Sequence, residues 1–248
     1  MIRARPTFAG IAGIAVLAAL WELAGHLPVL RDVVPPLSAV LTHLAAPEMR
    51  ALLGNAIAYT GGETLAGLIA GAAAGIACAS LARLVPVAAP GLSALASIVN
   101  GIPAIAVAGI CVLTLPREVT PLVVAALAAA FIVFVGTTAG LGAASAERHD
   151  LFRAYGASRW TTFARLDAPT ALPFVLGAMR SAAPVSVVGA ILGEWFTAER
   201  GLGPMLIAAL QNYDTVGLWS TALACALLSL TLYAVFGAAY GIAESAGA

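Results

Sequence analysis

Long apolar intervals separated by short polar ones run through the whole chain. Six of the apolar intervals approach the roughly 20 residues that a helix needs to cross a hydrocarbon core about 30 Å thick. They extend over about 8–24, 55–82, 86–115, 119–141, 173–195 and 218–242. The pattern predicts an all-α, polytopic membrane protein, a helical bundle of about six transmembrane helices without a soluble domain of any size.

We predict one transmembrane domain over residues 1–248 with two parts. The first, 1–54, contains the first span and an outside loop, in which Pro35 and Pro36 precede a short helix. The second, 55–248, is a five-helix core that contains a polar loop over 143–173. In the first span, Trp21 lies near the outer end, a position typical of an interfacial anchor.

The polar loop contains signals for two short helices. Ser145 can cap the first helix and Gly156 can end it. Glu147 and Asp150 lie in its first turn, where the helix dipole favours acidic residues. The second is predicted from Ser158 to Leu166, ending before Pro169 because proline disfavours helical geometry in the preceding residue. Apolar residues of the first helix share one face, and the loop is either a docking segment for a partner or a solvated amphipathic loop. These apolar residues are Leu151, Phe152 and Tyr155.

Composition and charge agree with a membrane protein and give its orientation. Hydrophobic residues make up 61% of the chain and charged residues 10%, and the twelve basic residues, all arginines, balance twelve acids. There is therefore no basic surface for nucleic acid. With the N-terminus and C-terminus in the cytoplasm, arginines 3, 5, 83, 148, 153, 159 and 165 lie inside and arginines 31, 50, 117 and 200 outside. This excess agrees with the positive-inside rule. Arg180, inside the fifth span, is predicted to snorkel to the cytoplasmic face.

Catalytic and metal-binding motifs are absent from the sequence. It contains no Walker phosphate loop, no HExxH and no serine, histidine and acid arrangement. The three histidines, His26, His43 and His149, lie in or near loops and are expected to be surface residues. The three cysteines lie in apolar runs without pairing or ligand spacing, and we interpret them as small hydrophobic residues. We expect no enzymatic activity, no metal and no cofactor in this chain.

Glycines recur every fourth residue in the second span. Gly67, Gly71 and Gly75 leave one stripe of the helix without side chains, which predicts a face for close helix packing. A glycine-lined solute path is the alternative. Glu63, in the same span, is an ionisable group that either faces a pore or partner or snorkels to the outer surface.

The third span is interrupted by Asn100, Gly101, Ile102 and Pro103. Proline frees a backbone carbonyl, and irregular backbone at membrane depth persists where protein or a hydrated cavity satisfies it. The segment therefore predicts either a translocation pathway or a packing kink. The few polar or helix-breaking groups that could line the pathway are Ser97, Asn100, Pro103, Thr137 and Ser186.

The polar loop resembles the cytoplasmic loop of ABC-importer permeases, the inner-membrane subunits of binding-protein-dependent transporters. That family has a glutamate, two alanines, a glycine three residues later, and a downstream apolar residue and proline. Here Gly156 matches the glycine, 166–169 matches the downstream element, and Asp150 stands at the glutamate, whereas Leu151 and Phe152 replace the two alanines. The resemblance extends over most of the chain, including a proline in the third span and a Gly-Leu-Gly at 201–203.

The resemblance implies a type I ABC-importer architecture and a set of partners. The helix at 145–157 would be a coupling helix that inserts into a cytoplasmic ATPase, and the ATPase subunits, not this chain, would bind ATP and Mg²⁺. Its coupling residues would be Asp150, Leu151, Phe152, Arg153, Tyr155, Gly156, Ala157, Ser158 and Arg159. A second permease subunit and an extracytoplasmic solute-binding protein complete the implied importer in the bacterial inner membrane. Its solute would be a small organic molecule or anion, such as a sulfonate, nitrate, aromatic carboxylate or vitamin precursor.

Two other functions remain open from the sequence. A small ion- or proton-coupled secondary carrier would use the arginine-containing loop only as a topological anchor, and a membrane-embedded enzyme is a more distant alternative. Because Leu151 and Phe152 depart from the family pattern, we also expect a second permease chain of different sequence rather than an identical copy.

Overall fold

The computed structural model describes residues 4–30, 32–197 and 199–247. Every regular element within these ranges is helical. The helices are α1 (Ala4–His26), α2 (Leu37–Ala45), α3 (Pro47–Leu84), α4 (Ala89–Gly101), α5 (Ala104–Thr114), α6 (Thr120–Leu141), α7 (Ala146–Ala154), α8 (Arg159–Thr162), α9 (Ala168–Thr197), α10 (Leu202–Gln211) and α11 (Thr215–Gly247). Short 3₁₀ turns precede α4 and α6. Arg3 and Arg31, used above for orientation, lie outside the described residues.

Four continuous helical segments are long and apolar enough to cross a membrane. They are Pro47–Leu84, Arg117–Leu141, Arg159–Thr197 and Thr215–Ile242. The pair α4 and α5 would add a fifth span if it crosses as one unit. Helix α1 is apolar, and its segment Gly10–His26 is shorter than the others. The predicted all-α membrane bundle is therefore confirmed, with four or five long spans among the described residues.

The third span is a broken helix. Between α4 and α5 the axis bends by 92°, at the position of Ile102 and Pro103. Both residues have extended backbone, and Pro103 precedes the first residue of α5. The break predicted from Asn100 to Pro103 is thus a sharp corner rather than a gentle kink.

One helix extends beyond its predicted span, and one predicted helix boundary is wrong. Helix α3 begins at Pro47, ahead of the apolar interval at 55–82, since proline is well suited to the first turn of a helix. The helix predicted to end before Pro169 instead continues from α8 through a π-helical turn at Phe163–Asp167 into α9. The wider π turn already interrupts the regular hydrogen-bond pattern there, so a residue without an N–H is tolerated.

Helix α6 lies at the centre of the bundle and packs against α3 and α9. The glycine stripe of α3 faces it: a Cβ on Gly67 would lie 2.6 Å from the Cβ of Ala125, and one on Gly75 would lie 2.6 Å from the carbonyl oxygen of Ala130. At Gly71 a Cβ would collide with the carbonyl of Ala126. The backbones of α3 and α6 therefore approach each other so closely that only glycine fits at these positions of α3.

The N-terminal helices are attached to the N-terminal end of α11. Trp21 of α1 donates a hydrogen bond to the Pro35 carbonyl and packs against Trp219 at a centroid distance of 5.2 Å. Glu22 accepts a hydrogen bond from the backbone N–H of Ser38 at 2.9 Å, in the first turn of α2. Trp219 donates a hydrogen bond to the Val33 carbonyl at 2.9 Å. Because Trp21 packs on Trp219 and bonds to the same loop, it makes tertiary contacts and is not only an interfacial anchor.

Candidate functional site

Helix α7 has the ends that its sequence predicts. The Ser145 side chain accepts a hydrogen bond from the backbone N–H of Arg148, which caps the N-terminus. A hydrogen bond from the Ser145 side chain, with one from the backbone, holds the pKa of Glu147 below its ordinary value. Gly156 follows the helix with φ +70°, a conformation that favours glycine. Local chemistry therefore defines a short helix between two turns.

The apolar face of α7 is open to solvent. Tyr155 is 83% exposed and Leu151 is 53% exposed, whereas Phe152 is half-buried. Trp160, just beyond Gly156, is also exposed and stacks on Phe163 with ring centroids 5.7 Å apart. Asp150 and Arg153 form an ion pair on the surface of the same helix. Large exposed apolar side chains clustered beside charges are typical of a protein docking surface.

Helix α7 is fixed to the membrane helices by three polar side chains, which we name the α7 clamp: Arg83, His149 and Asp167. Arg83, in the last turn of α3, donates from Nε to Oδ2 of Asp167 at 2.7 Å. His149 of α7 places Nε2 2.9 Å from Oδ1 of the same carboxylate. Asp167 is 2% exposed, so a buried carboxylate joins the end of α3, the short helix and the start of α9.

His149 has more than one way to hold the clamp together. Its Nδ1 lies 3.1 Å from the Ser145 carbonyl, and its Nε2 lies 2.8 Å from an Arg83 guanidinium nitrogen. A neutral ring with hydrogen on Nδ1 accepts from Arg83, whereas a protonated ring donates from Nε2 to Asp167. The sequence predicts that His149 is a surface residue, whereas the structure shows it half-buried and paired with Asp167.

A cleft of about 590 Å³ opens beside the clamp, between the polar loop and the end of α3. Its walls include three residues predicted to couple to an ATPase, Arg153, Ala157 and Arg159, together with all three clamp residues. The predicted coupling residues are thus gathered at one end of the bundle, around a concave surface and an exposed helix.

The opposite end of α9 carries a second buried carboxylate. Glu194 accepts a hydrogen bond from Thr60 Oγ1 at 2.6 Å and one from the backbone N–H of Gly203 at 2.7 Å. Thr60 in turn accepts from the backbone N–H of Leu202 at 2.9 Å. Glu194 and Thr60 therefore cap the N-terminus of α10 from two neighbouring membrane helices. Glu63 lies close enough to Glu194 to interact with its charge.

The predicted pathway residues do not form one lining. Ser97, Asn100 and Pro103 are exposed on the broken span. Thr137 is 2% exposed, and Ser186 is fully buried with its hydroxyl 3.4 Å from the Ala125 carbonyl. These last two residues lie inside the helix packing of the chain, so the exposed members of the predicted set are those on α4 and at its corner with α5.

Two curated relatives match about half of this chain. The riboflavin transport system permease protein RibX of Chloroflexus aurantiacus is 30% identical over 139 residues, which are 56% of this chain and 52% of that protein. The formylaminopyrimidine transport permease protein ThiX of Halalkalibacterium halodurans is 33% identical over 134 residues, 54% of each chain. The chain therefore aligns with only about half the length of these curated relatives.

A solved structure and a family model extend the comparison. The MetNI methionine ABC transporter, in an inward-facing conformation, contains a chain that superposes with a TM-score of 0.69. The match covers 80% of this chain and 99% of that one at 18% identity, which shows a shared fold. The sequence model of the binding-protein-dependent transport system inner membrane components matches residues 67–246. Because this match includes well over half of the residues of the chain, the chain belongs to the family of binding-protein-dependent transport system inner membrane components.

Proposed function

We propose that this chain is the transmembrane permease subunit of an ATP-driven ABC importer and couples to a cytoplasmic ATPase through α7. The observation that carries the proposal is the combination of an exposed apolar face on α7 with a buried clamp behind it. Leu151 and Tyr155 offer anchors to a partner, while Asp167 connects the same helix to α3 and α9. A force applied to the exposed face would therefore reach two membrane helices.

The family membership supports the partners that this function requires. We propose that ATPase subunits bind α7 and hold the ATP and Mg²⁺, that a second permease completes the pathway, and that a solute-binding protein delivers the solute outside. The α7 end of the bundle then faces the cytoplasm of a bacterial cell, with both chain termini on that side of the inner membrane. Relatives named for riboflavin and for formylaminopyrimidine support a small organic solute.

Replacing one anchor on α7 tests the coupling proposal. Phe152→Asp places a charge in the apolar face, and we expect the purified complex to lose its ATPase subunits. Tyr213→Asp is the matched control, because Tyr213 is 91% exposed at the opposite end of the bundle. If the Phe152→Asp complex keeps its ATPase and its stimulated ATP turnover, α7 is not the coupling element.

The same preparation separates the remaining alternatives. An importer moves solute into vesicles only with ATP on the ATPase side, whereas a secondary carrier responds to an ion gradient without ATP. Mass measurement of the complex also counts the permease chains. We expect one copy of this chain beside a different permease, because Leu151 and Phe152 replace the two alanines of the family loop. Two copies of this chain and no other permease would contradict that expectation.

A further inference from the structure

Arg180 is a cation inside a membrane-spanning helix, and its Nε has no hydrogen-bond partner among the described residues. Its guanidinium carbon lies 4.3 Å from the ring centroid of Tyr233 in α11, and its Nε is buried without a hydrogen-bond partner. Within the described residues it forms no ion pair. The side chain packs against α11, where a Cβ on Gly237 would lie 3.1 Å from Nε, and its snorkelling to the cytoplasmic face stays a prediction.

An unpaired arginine at this depth requires a physical reason. Arg180 is 13 residues after Asp167 and 14 before Glu194, which is about 20 Å along the helix from each. Within the predicted span 173–195, Arg180 lies seven residues, or about 10 Å, beyond the start, so it is inside the apolar segment rather than at its edge. Ionisable residues at membrane depth normally pair or face a cavity that carries solute or ions.

Arg180 does face a cavity. A groove of about 570 Å³ lies between α6, α9 and α11, within the size range of small-molecule sites. Its walls combine the guanidinium with aromatic rings and small residues, among them Phe174, Gly177, Tyr233 and Tyr240. The groove therefore offers one positive charge in an otherwise apolar and aromatic surface.

The contact with Tyr233 leaves the guanidinium free for an anion. A ring interacts with the face of a guanidinium, whereas a carboxylate or sulfonate binds the N–H groups along its edge. Because Nε itself is buried against α11, the donors that can reach the groove are those of the two terminal nitrogens. A lipid phosphate and a solute share this oxyanion chemistry, and the lipid arm of the experiment below separates the two sources.

We infer that the groove at Arg180 is a solute-binding site for an organic oxyanion, a carboxylate or sulfonate joined to a planar apolar body. The guanidinium edge binds the oxyanion, and Phe174, Tyr233 and Tyr240 contact the apolar body. This inference rests on the proposed permease function. Binding by the groove can nevertheless be measured without ATP or ATPase, so failure of the site and failure of the coupling proposal give different results.

The test uses the full chain in phosphatidylcholine nanodiscs and two matched probes. Benzenesulfonate carries the oxyanion, and benzenesulfonamide is its neutral counterpart of similar shape. Ligand-observed NMR titration should show saturable binding of benzenesulfonate. The affinity for the sulfonamide should be lower by a factor of roughly ten or more. Arg180→Gln should weaken benzenesulfonate binding by a similar factor, and Arg180→Lys by less. Tyr213→Phe is the control, because Tyr213 is 91% exposed and lies outside the groove, and it should bind as the unmodified chain does.

Several results would overturn the inference. Equal binding of the two probes by the unmodified chain, or no saturable binding of benzenesulfonate, excludes an oxyanion site without relying on any variant. Unchanged binding by Arg180→Gln, with thermal unfolding confirming a folded protein, places the anion elsewhere. A third arm uses nanodiscs that contain phosphatidylglycerol. If this lipid abolishes benzenesulfonate binding, and its retention on the purified chain depends on Arg180, the occupant is a lipid headgroup and the solute assignment is wrong.

Discussion

Arg83 Nε donates a hydrogen bond of 2.7 Å to Asp167 Oδ2, and this bond joins the last turn of α3 to the π-helical turn that leads into α9. The side chain of Asp167 is 3% exposed and that of Arg83 is 36% exposed. The carboxylate is thus withdrawn from water while the arginine keeps partial contact with it. The second oxygen of Asp167 faces His149, so one buried acid holds both a membrane helix and α7.

Asp167→Asn should loosen α7 without unfolding the bundle. The amide keeps the shape of the carboxylate but removes its charge, which leaves Arg83 and His149 without their anionic partner. We expect a loss of about 1–3 kcal/mol in the unfolding free energy. Faster amide hydrogen exchange confined to 146–154 should report the local loosening, measured by mass spectrometry.

Asp150→Asn is the matched control for this experiment. Its ion pair with Arg153 lies on the surface of the same helix, with side chains 66% and 76% exposed. Exposed pairs of this kind contribute about 1 kcal/mol or less. If both variants leave α7 exchange unchanged, or if both accelerate it equally, the buried clamp does not hold the helix.

The glycine stripe gives a second prediction, about the packing of α3 on α6. Gly71→Ala adds a methyl group that would collide with the Ala126 carbonyl and lie 2.9 Å from the Cβ of Ala129. Overpacking between two backbones should lower the unfolding free energy by about 1–3 kcal/mol. Gly62→Ala in the same helix meets nothing within 4 Å and gains up to about 1 kcal/mol of helix propensity. Thermal unfolding in detergent should therefore move in opposite directions, and equal shifts would contradict close packing at Gly71.

Local chemistry in the sequence was sufficient for some of these features. Ser145 and Gly156 define the ends of α7 through a cap and a positive φ, and both signals lie within a few residues of the helix. The interruption before Pro103 was likewise visible, because proline and glycine act on their own backbone. The sequence did not reveal that the interruption turns the chain by 92°, since that angle depends on how α4 packs on α3 and α6 and how α5 packs on α6 and α9.

The α7 clamp could not be predicted in the same way. Arg83 and Asp167 are 84 positions apart, and each appears in the sequence as a single charge near the end of an apolar run. The sequence also predicts a helix end before Pro169, which would place Asp167 in a loop. The observed helix instead continues through Pro169, and this continuation buries the acid. Thr137 and Ser186 were assigned to a pathway because they are polar residues in apolar helices, and the sequence did not show that neighbouring helices bury both of them.

A third prediction concerns the cap of α10. Thr60→Val keeps the shape of the side chain but removes the donor to Glu194 and the acceptor for the Leu202 N–H. Each buried group left unpaired should cost about 1–3 kcal/mol, and α10 should become more sensitive to proteolysis. Thr231→Val is the control, because that exposed hydroxyl bonds only to the Leu227 carbonyl of its own helix. Thr60→Ser should restore the stability, and a neutral Thr60→Val would show that the cap contributes little.

The corner between α4 and α5 gives the last prediction, which concerns the solute pathway. Asn100 is exposed one residue before Gly101, the last residue of α4, whereas Thr137 is 2% exposed inside the bundle. After replacement of the native cysteines, a water-soluble thiol reagent should modify Asn100→Cys at least severalfold faster than Thr137→Cys. These native cysteines are Cys78, Cys111 and Cys225.

Labelling at Asn100→Cys should also depend on the nucleotide state. A pathway that opens to one side at a time exposes its lining differently when ATP is trapped with vanadate on the ATPase, so the modification rate should change. The Thr137→Cys rate should stay low in every state, because helix packing rather than gating protects that position. An Asn100→Cys protein that transports normally but stays unlabelled with and without trapped nucleotide would place Asn100 in a packed contact with another subunit, and the pathway would then lie elsewhere.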